Sequence, residues 1–106
     1  VPKGARIEQV EVVTDTTVTS GGSAVLNVGL RALDNTTAID EDGLVAALAL
    51  ASFNLSGEKA TLIVGSTGAG ALIGTTLSQA GLLYADYDTA AFTAGAIRVR
   101  IKFYIP

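Results

Sequence analysis

The sequence predicts an all-β protein in one domain, residues 1–106, whose antiparallel strands form a sandwich or a barrel. Short runs of alternating or β-branched residues recur at intervals of roughly 10–15 residues, which is typical of such folds. Glycine-rich turns and turns with Asp or Asn separate these runs. A chain of 106 residues is long enough for one modest core and too short for two.

The first third of the chain contains two predicted strands. Residues 6–13 are β-branched with interspersed charges, and the Thr-rich residues 14–19 favour an extended or edge conformation. Residues 20–23, Ser-Gly-Gly-Ser, indicate a turn. In residues 24–30 the alternation predicts a half-buried strand with inward positions at Ala24, Leu26, Val28 and Leu30.

The middle of the chain fits either a helix or a crossover. A predicted loop at residues 40–43 precedes residues 44–51, which consist mostly of Ala and Leu, both strong helix formers. Asp40 or Asp42 could cap a helix that begins there. We therefore expect at most one short helix, near residues 42–51, or an irregular crossover in its place.

Further predicted strands follow. Residues 60–64 form a strand after a turn at residues 56–59, and residues 81–88 indicate a turn, a short strand and a second turn. The glycine-rich residues 65–74 predict a surface loop that makes a contact or moves. A phosphate-binding function is disfavoured because no Lys follows Gly74 and the glycine spacing does not fit the dinucleotide fingerprint.

The last strand, within residues 96–105, has two different faces. Its apolar face is predicted to pack on the core and consists of Ile97, Val99, Ile101, Phe103 and Ile105. Its other face consists of Arg98, Arg100, Lys102 and Tyr104. These four residues are candidates for an electrostatic contact with a neighbouring subunit, or they form a solvated face whose cations protect the edge against aggregation. The candidates for apolar anchoring at an interface are Leu72, Ile73, Leu82 and Leu83.

Composition disfavours several function classes. The net charge of −3 argues against direct nucleic-acid binding. The longest apolar run, residues 44–53, is about half as long as a membrane span, so we expect no membrane partner. The absence of His and Cys removes the commonest general base, the thiolate nucleophile and the usual transition-metal ligands. We therefore expect no enzyme activity and no cofactor, and we assign no catalytic, cofactor-binding or metal-binding residue.

The acidic clusters give no signature of a metal site, and the low charge content favours association. Residues 40–42 lack the first spaced Asp and the bidentate Glu of a calcium loop. Asp86 and Asp88 could supply oxygens to a hard cation if the fold brings them near another carboxylate, but both clusters are expected in solvated turns. Charged residues are 16% of the chain, against about 25% in an average domain. Together with a core that has few aromatic residues, this favours association with other subunits.

Four stretches carry a resemblance to a known family. They are residues 1–10 (VPKGARIEQV), residues 20–29 (SGGSAVLNVG), residues 42–47 (DGLVAA) and residues 92–95 (FTAG) before the terminal strand. With this order of turns and strands, the chain resembles the small head decoration or cement proteins of tailed bacteriophages, which have a jelly-roll-like β-sandwich fold. The resemblance extends over most of the chain, and its motifs are turn and strand residues and include no reactive signature.

The resemblance implies an antiparallel, jelly-roll-like β-sandwich of about eight short strands. It also implies a structural virion protein on the exterior of the capsid, present in the host cytoplasm during assembly. Its partner would be the major capsid protein, whose neighbouring subunits it would bridge to stabilise the head. A homo-oligomer is expected, with a trimer preferred and a dimer possible.

Two other functions stay open from the sequence. One is a tail or fibre-tip module of a phage, which would share the sandwich. The other is a carbohydrate-binding, lectin-like β-sandwich, which needs exposed aromatic rings aligned on one face. For that purpose the chain offers only Tyr84, Tyr87 and Tyr104.

Overall fold

The computed structural model describes residues 1–53, 60–63 and 68–106. Within them the chain is mostly β, with one short helix. The elements in order are β1 (Arg6–Ser20), β2 (Val25–Arg31), β3 (Ala38–Ala49), α1 (Leu50–Phe53), β4 (Ala60–Ile63), β5 (Leu82–Asp88) and β6 (Phe92–Tyr104).

The strands form two antiparallel sheets of three strands each. Sheet I has the order β4-β1-β6, and sheet II has the order β3-β2-β5. In each sheet the middle strand supplies alternating buried side chains, such as Val10 and Val12 of β1 and Leu26 and Val28 of β2. These belong to one hydrophobic cluster that draws residues from both sheets. Burial of each such side chain stabilises the fold by about 1.5–3 kcal/mol.

The expected helix near residues 42–51 is mostly a strand. Residues up to Ala49 belong to β3, and the helix α1 contains only the four residues from Leu50 to Phe53. Pairing with β2 decides this, because Leu48 lies opposite Leu26 and Val45 opposite Val28, and all four side chains are buried. Such long-range burial outweighs the helix propensity of a short Ala- and Leu-rich segment.

The predicted loop at residues 40–43 also lies inside β3. The register shifts between the pairs Val28–Val45 and Leu30–Asp40, so β3 bulges over β2 there. The bulge passes so close to β2 that a Cβ atom on Gly29 would lie 2.0 Å from the Asp40 carbonyl oxygen. The bulge therefore requires a glycine at position 29 of β2. The alternation of residues in β2 does not by itself explain why a glycine is needed there.

The described residues form six strands, fewer than the eight expected. Residues 6–13 and 14–19 form one continuous strand, β1, because they pair with β6 along their length. The predicted turn at residues 56–59 and residues 64–67 lie outside the described residues.

No helical segment within the described residues has both the length and the apolar character that a membrane crossing requires.

Residues 68–77, named here the closing segment, join the two sheets on one flank. The segment first runs along β3, where Gly68 O accepts a hydrogen bond from Ala46 N (2.8 Å) and Leu72 N donates to Gly43 O (2.8 Å). It then pairs with the start of β1, where Gly74 N donates to Ile7 O (2.7 Å). The described part of the predicted mobile loop at residues 65–74 is therefore docked by backbone hydrogen bonds.

Candidate interaction surface

Exposed apolar side chains are concentrated on two strands. Among the described residues, seven large apolar side chains are exposed, and Leu33 is the one that neither belongs to these strands nor directly follows one of them. The other six lie on β5, on β6 or directly after it, with exposed fractions between 39% and 60%: Leu82, Leu83, Tyr87, Phe103, Tyr104 and Ile105. Single exposed apolar residues are ordinary, whereas contiguous exposed apolar patches are typical of contact surfaces.

Strands β5 and β6 lie at the edges of different sheets and border the same groove. The groove has a volume of about 540 Å³. Ala85, Asp86 and Tyr87 line it from β5, and residues 92–97 line it from β6. Its remaining lining consists of the buried side chains Val18, Leu26 and Phe53. The common core of the two sheets therefore reaches the surface in this groove. We name this side of the molecule the β5/β6 flank.

Phe92 lies at the centre of the aromatic contacts in this groove. Its ring makes edge-to-face contacts with Phe53, at a centroid distance of 6.3 Å, and with Tyr87, at 6.4 Å. Such pairs contribute about 0.5–1.5 kcal/mol beyond area burial. Phe92 therefore links the core residue Phe53 to the exposed Tyr87 of β5.

The apolar face of the terminal strand is only partly buried. Ile97, Val99 and Ile101 pack against the core and are partly buried, whereas Phe103 and Ile105 are exposed. The expectation that this whole face packs in the core is therefore wrong for its last two residues. The reason is position, because β6 is an edge strand and has a described strand neighbour on one side only.

The cationic face of β6 pairs with carboxylates of β1. The three ion pairs are Arg98 with Asp15 (2.7 Å), Arg100 with Glu11 (3.1 Å) and Lys102 with Glu8 (3.9 Å). The hydrogen bond to Asp15 raises the pKa of Arg98 above its ordinary value. The predicted strip thus forms a ladder of alternating charge on the outer face of sheet I. Tyr104 continues the strip at its end and is exposed.

The outer face of sheet II is acidic at the same flank. Glu41, Asp42, Asp86 and Asp88 line a shallow depression of about 210 Å³ together with Asn27 and Tyr84. Residues 40–42, Asp86 and Asp88 were expected in turns, but they lie in strands β3 and β5. Asn27 connects these strands, since its Nδ2 donates to Asp88 (2.9 Å) and its Oδ1 accepts from Ala47 N (2.8 Å).

Arg31 is the cation of this acidic face. Its guanidinium donates to Glu41 (2.5 Å) and lies 3.5 Å above the Tyr84 ring. The hydrogen bond with Glu41 raises the pKa of Arg31, and desolvation raises that of Tyr84. On the neighbouring part of β3, burial and the adjacent Asp42 raise the pKa of Asp40. Within the described residues, no group of three or more carboxylates is placed to hold a metal ion.

The apolar candidates divide into two pairs. Leu72 and Ile73 belong to the closing segment and pack against the core, so they are partly buried. Leu82 and Leu83 begin β5 and are exposed. The structure thus places the second pair on the β5/β6 flank and the first pair on the opposite flank.

The three tyrosines do not share a face. Tyr84 lies opposite Gly29 of β2, on the outer face of sheet II, whereas Tyr87 lies opposite the inward Leu26 and borders the groove. Tyr104 belongs to β6 in the other sheet. A flat sugar platform needs rings on one face, so this arrangement gives no support to the carbohydrate-binding alternative.

Comparison of the chain with family models, with curated proteins and with solved structures finds no match.

Proposed function

We propose that this chain is a structural β-sandwich protein with a jelly-roll-like arrangement, which decorates the exterior of a bacteriophage head. The observation that supports this best is the concentration of exposed apolar residues on the β5/β6 flank. A protein that acts by docking needs such a surface on a rigid scaffold. The family resemblance of residues 1–10, 20–29, 42–47 and 92–95 supplies the identity of the partner, the major capsid protein.

The described polar groups are consistent with a docking role. The cations on the outer face of sheet I are paired with carboxylates of β1, and Arg31 is paired with Glu41 on sheet II. Charges held in this way give orientation and specificity to a contact more than affinity. Apolar residues of the flank would then supply the binding free energy of contacts between copies, and the joined copies would bind the head more tightly by multivalency.

The proposal is tested on particles of the virus whose genome encodes the chain. Purified particles are analysed by quantitative mass spectrometry, and their surface is probed with an antibody against the chain. We expect a copy number comparable to that of the major capsid subunit, with the antibody bound to intact heads. Absence of the chain from purified particles, or labelling at the tail alone, would overturn the proposal.

A further inference from the structure

Strands β5 and β6 are edges on the same flank and each has a regular stretch, although the register of β6 against β1 shifts before Gln9–Lys102 and again between Thr14–Ile97 and Ser20–Phe92. β5 keeps one register with β2 from Arg31–Leu82 to Val25–Asp88, and β6 keeps one register with β1 from Val10–Ile101 to Thr14–Ile97. Neither strand pairs with a further strand of the described residues. Regular edges of this kind are templates for pairing with another chain.

We propose that β6 of one copy pairs with β5 of a second copy, so that two copies form a two-fold dimer through the β5/β6 flank. This inference rests on the docking role of the flank in the proposed function and assigns that role to contacts between copies, so the capsid would bind other surfaces of the dimer. In such a dimer, sheet I of each copy continues into sheet II of its partner. The groove of about 540 Å³ would then be closed by the partner's edge strands.

The chain directions fit this pairing. Only residues 89–91 connect β5 to β6, so β6 begins where β5 ends and runs back along the flank. A two-fold axis parallel to the strands brings β6 beside the partner's β5 and keeps these directions, which makes the new pair antiparallel. The same axis pairs β5 with the partner's β6. The β5 edge and the β6 edge of each copy are therefore both paired with the other copy, and the assembly closes as a dimer.

Side-chain alternation brings like surfaces together. The inward residues of β5 are Leu83, Ala85 and Tyr87, since they lie opposite Leu30, Val28 and Leu26 of β2. They would join the inward residues of β6, Ile97 and Val99, in one continuous core. The half-exposed side chains of the flank would then be buried, which is the main source of binding free energy in the proposed dimer.

Charge selects this pairing over the alternative two-fold arrangement. If β6 paired with the partner's β6, Arg98 and Arg100 would face cations, and like charges directly opposite are destabilising. In the proposed pairing, the outer face of β6 lies beside the outer face of β5, which carries Tyr84, Asp86 and Asp88. Arg98 and Arg100 would therefore lie beside carboxylates and an aromatic ring.

The first experiment measures association of the purified chain by sedimentation velocity over a concentration series. We compare Leu83→Lys with Leu33→Lys, because both change an exposed Leu to Lys and only Leu83 belongs to a strand of the proposed pairing. Wild type and Leu33→Lys are expected to dimerise alike, and Leu83→Lys to weaken dimerisation at least tenfold. A wild type that stays monomeric or forms trimers, or a Leu83→Lys variant that dimerises as wild type does, would refute the inference.

The second experiment identifies the paired strands and does not depend on the stability of Leu83→Lys. The natural chain has no Cys, so Ala96→Cys on β6 and Asp86→Cys on β5 each provide a single thiol beside the groove. With a short bismaleimide, an equal mixture of the two variants is expected to form much more dimer than either variant alone. If Ala96→Cys alone is linked as well as the mixture, β6 pairs with β6 and the inference is wrong.

The two proposals can fail separately. A chain that decorates particles but sediments as a monomer or trimer refutes the dimer alone. A chain that dimerises through β5 and β6 but is absent from particles refutes the decoration function alone.

Discussion

Arg98 and Asp15 form a two-point ion pair across β1 and β6, although 83 residues separate them in the chain. The Arg98 Nε donates to one carboxylate oxygen at 2.7 Å, and a terminal guanidinium nitrogen donates to the other at 2.9 Å. This geometry uses the fork of arginine, which lysine does not have. The terminal strand is thus fastened to β1 by side chains as well as by its backbone.

Loss of this ion pair should have a small and salt-sensitive effect on stability. The side chain of Arg98 is 54% exposed and that of Asp15 is 25% exposed, so solvent screens the pair. We expect a coupling energy as small as that of other exposed ion pairs in a double-mutant cycle of Arg98→Gln and Asp15→Asn. Urea unfolding at low and high salt measures it. A coupling that is unchanged by salt would contradict the electrostatic interpretation.

Replacement of Gly70 by Ala should destabilise the fold strongly. A Cβ atom there would lie 2.0 Å from the carbonyl carbon of Gly43, because the closing segment crosses β3 with its backbone in contact. We expect Gly70→Ala to lower the free energy of unfolding by about 1–3 kcal/mol. Gly21→Ala is the control, since no atom lies within 4 Å of the added Cβ. Equal stability of the two variants in urea unfolding would show that the closing segment shifts freely.

Thr14 should stabilise helix α1 through its hydroxyl. It is the buried polar residue among the described core positions, and its Oγ1 donates to the carbonyl of Phe53 at 2.5 Å. Thr14→Val keeps the shape and leaves that carbonyl without this donor, so we expect a loss of about 1–3 kcal/mol in thermal or urea unfolding. Thr14→Ser retains the hydroxyl and should lose less. The opposite order would contradict the role of the hydrogen bond.

Asp34 should make stability depend on pH in the acid range. Hydrogen bonds from the backbone N–H groups of Thr37 and Thr36 and from the Thr37 hydroxyl lower the pKa of Asp34 from 3.8 to about 2. A lowered pKa means that the unfolded chain binds the proton more tightly, so the stabilisation is present above about pH 4 and is lost as the pH falls towards 2.

The variant Asp34→Asn tests this dependence. Wild type should be more stable than the variant at neutral pH, and the gap should narrow as the pH falls from 4 to 2, measured by thermal unfolding at each pH. Thr37→Val is a partial control, because it removes the hydroxyl donor and keeps both backbone donors. A stability difference between wild type and Asp34→Asn that does not change with pH would rule out ionisation of the carboxylate as its cause.

The sequence predicted part of the interaction surface. The alternation of residues 97–105 correctly separated the apolar from the cationic positions of β6. It could not show that Glu8, Glu11 and Asp15 pair with the cations, since this depends on the register of β1 against β6. For the same reason, it could not separate Leu82 and Leu83, which lie on the β5/β6 flank, from Leu72 and Ile73, which pack against the core.

The sequence by itself determined the β-rich character of the chain, the alternating strand at residues 24–30 and the two-faced terminal strand, because alternation is a local property of an extended backbone. Only the tertiary structure decided that residues 44–49 form a strand and that the core reaches the surface between β5 and β6. Both outcomes depend on contacts between residues distant in the chain. Burial against β2 decided the first, and the edge positions of β5 and β6 in their sheets decided the second.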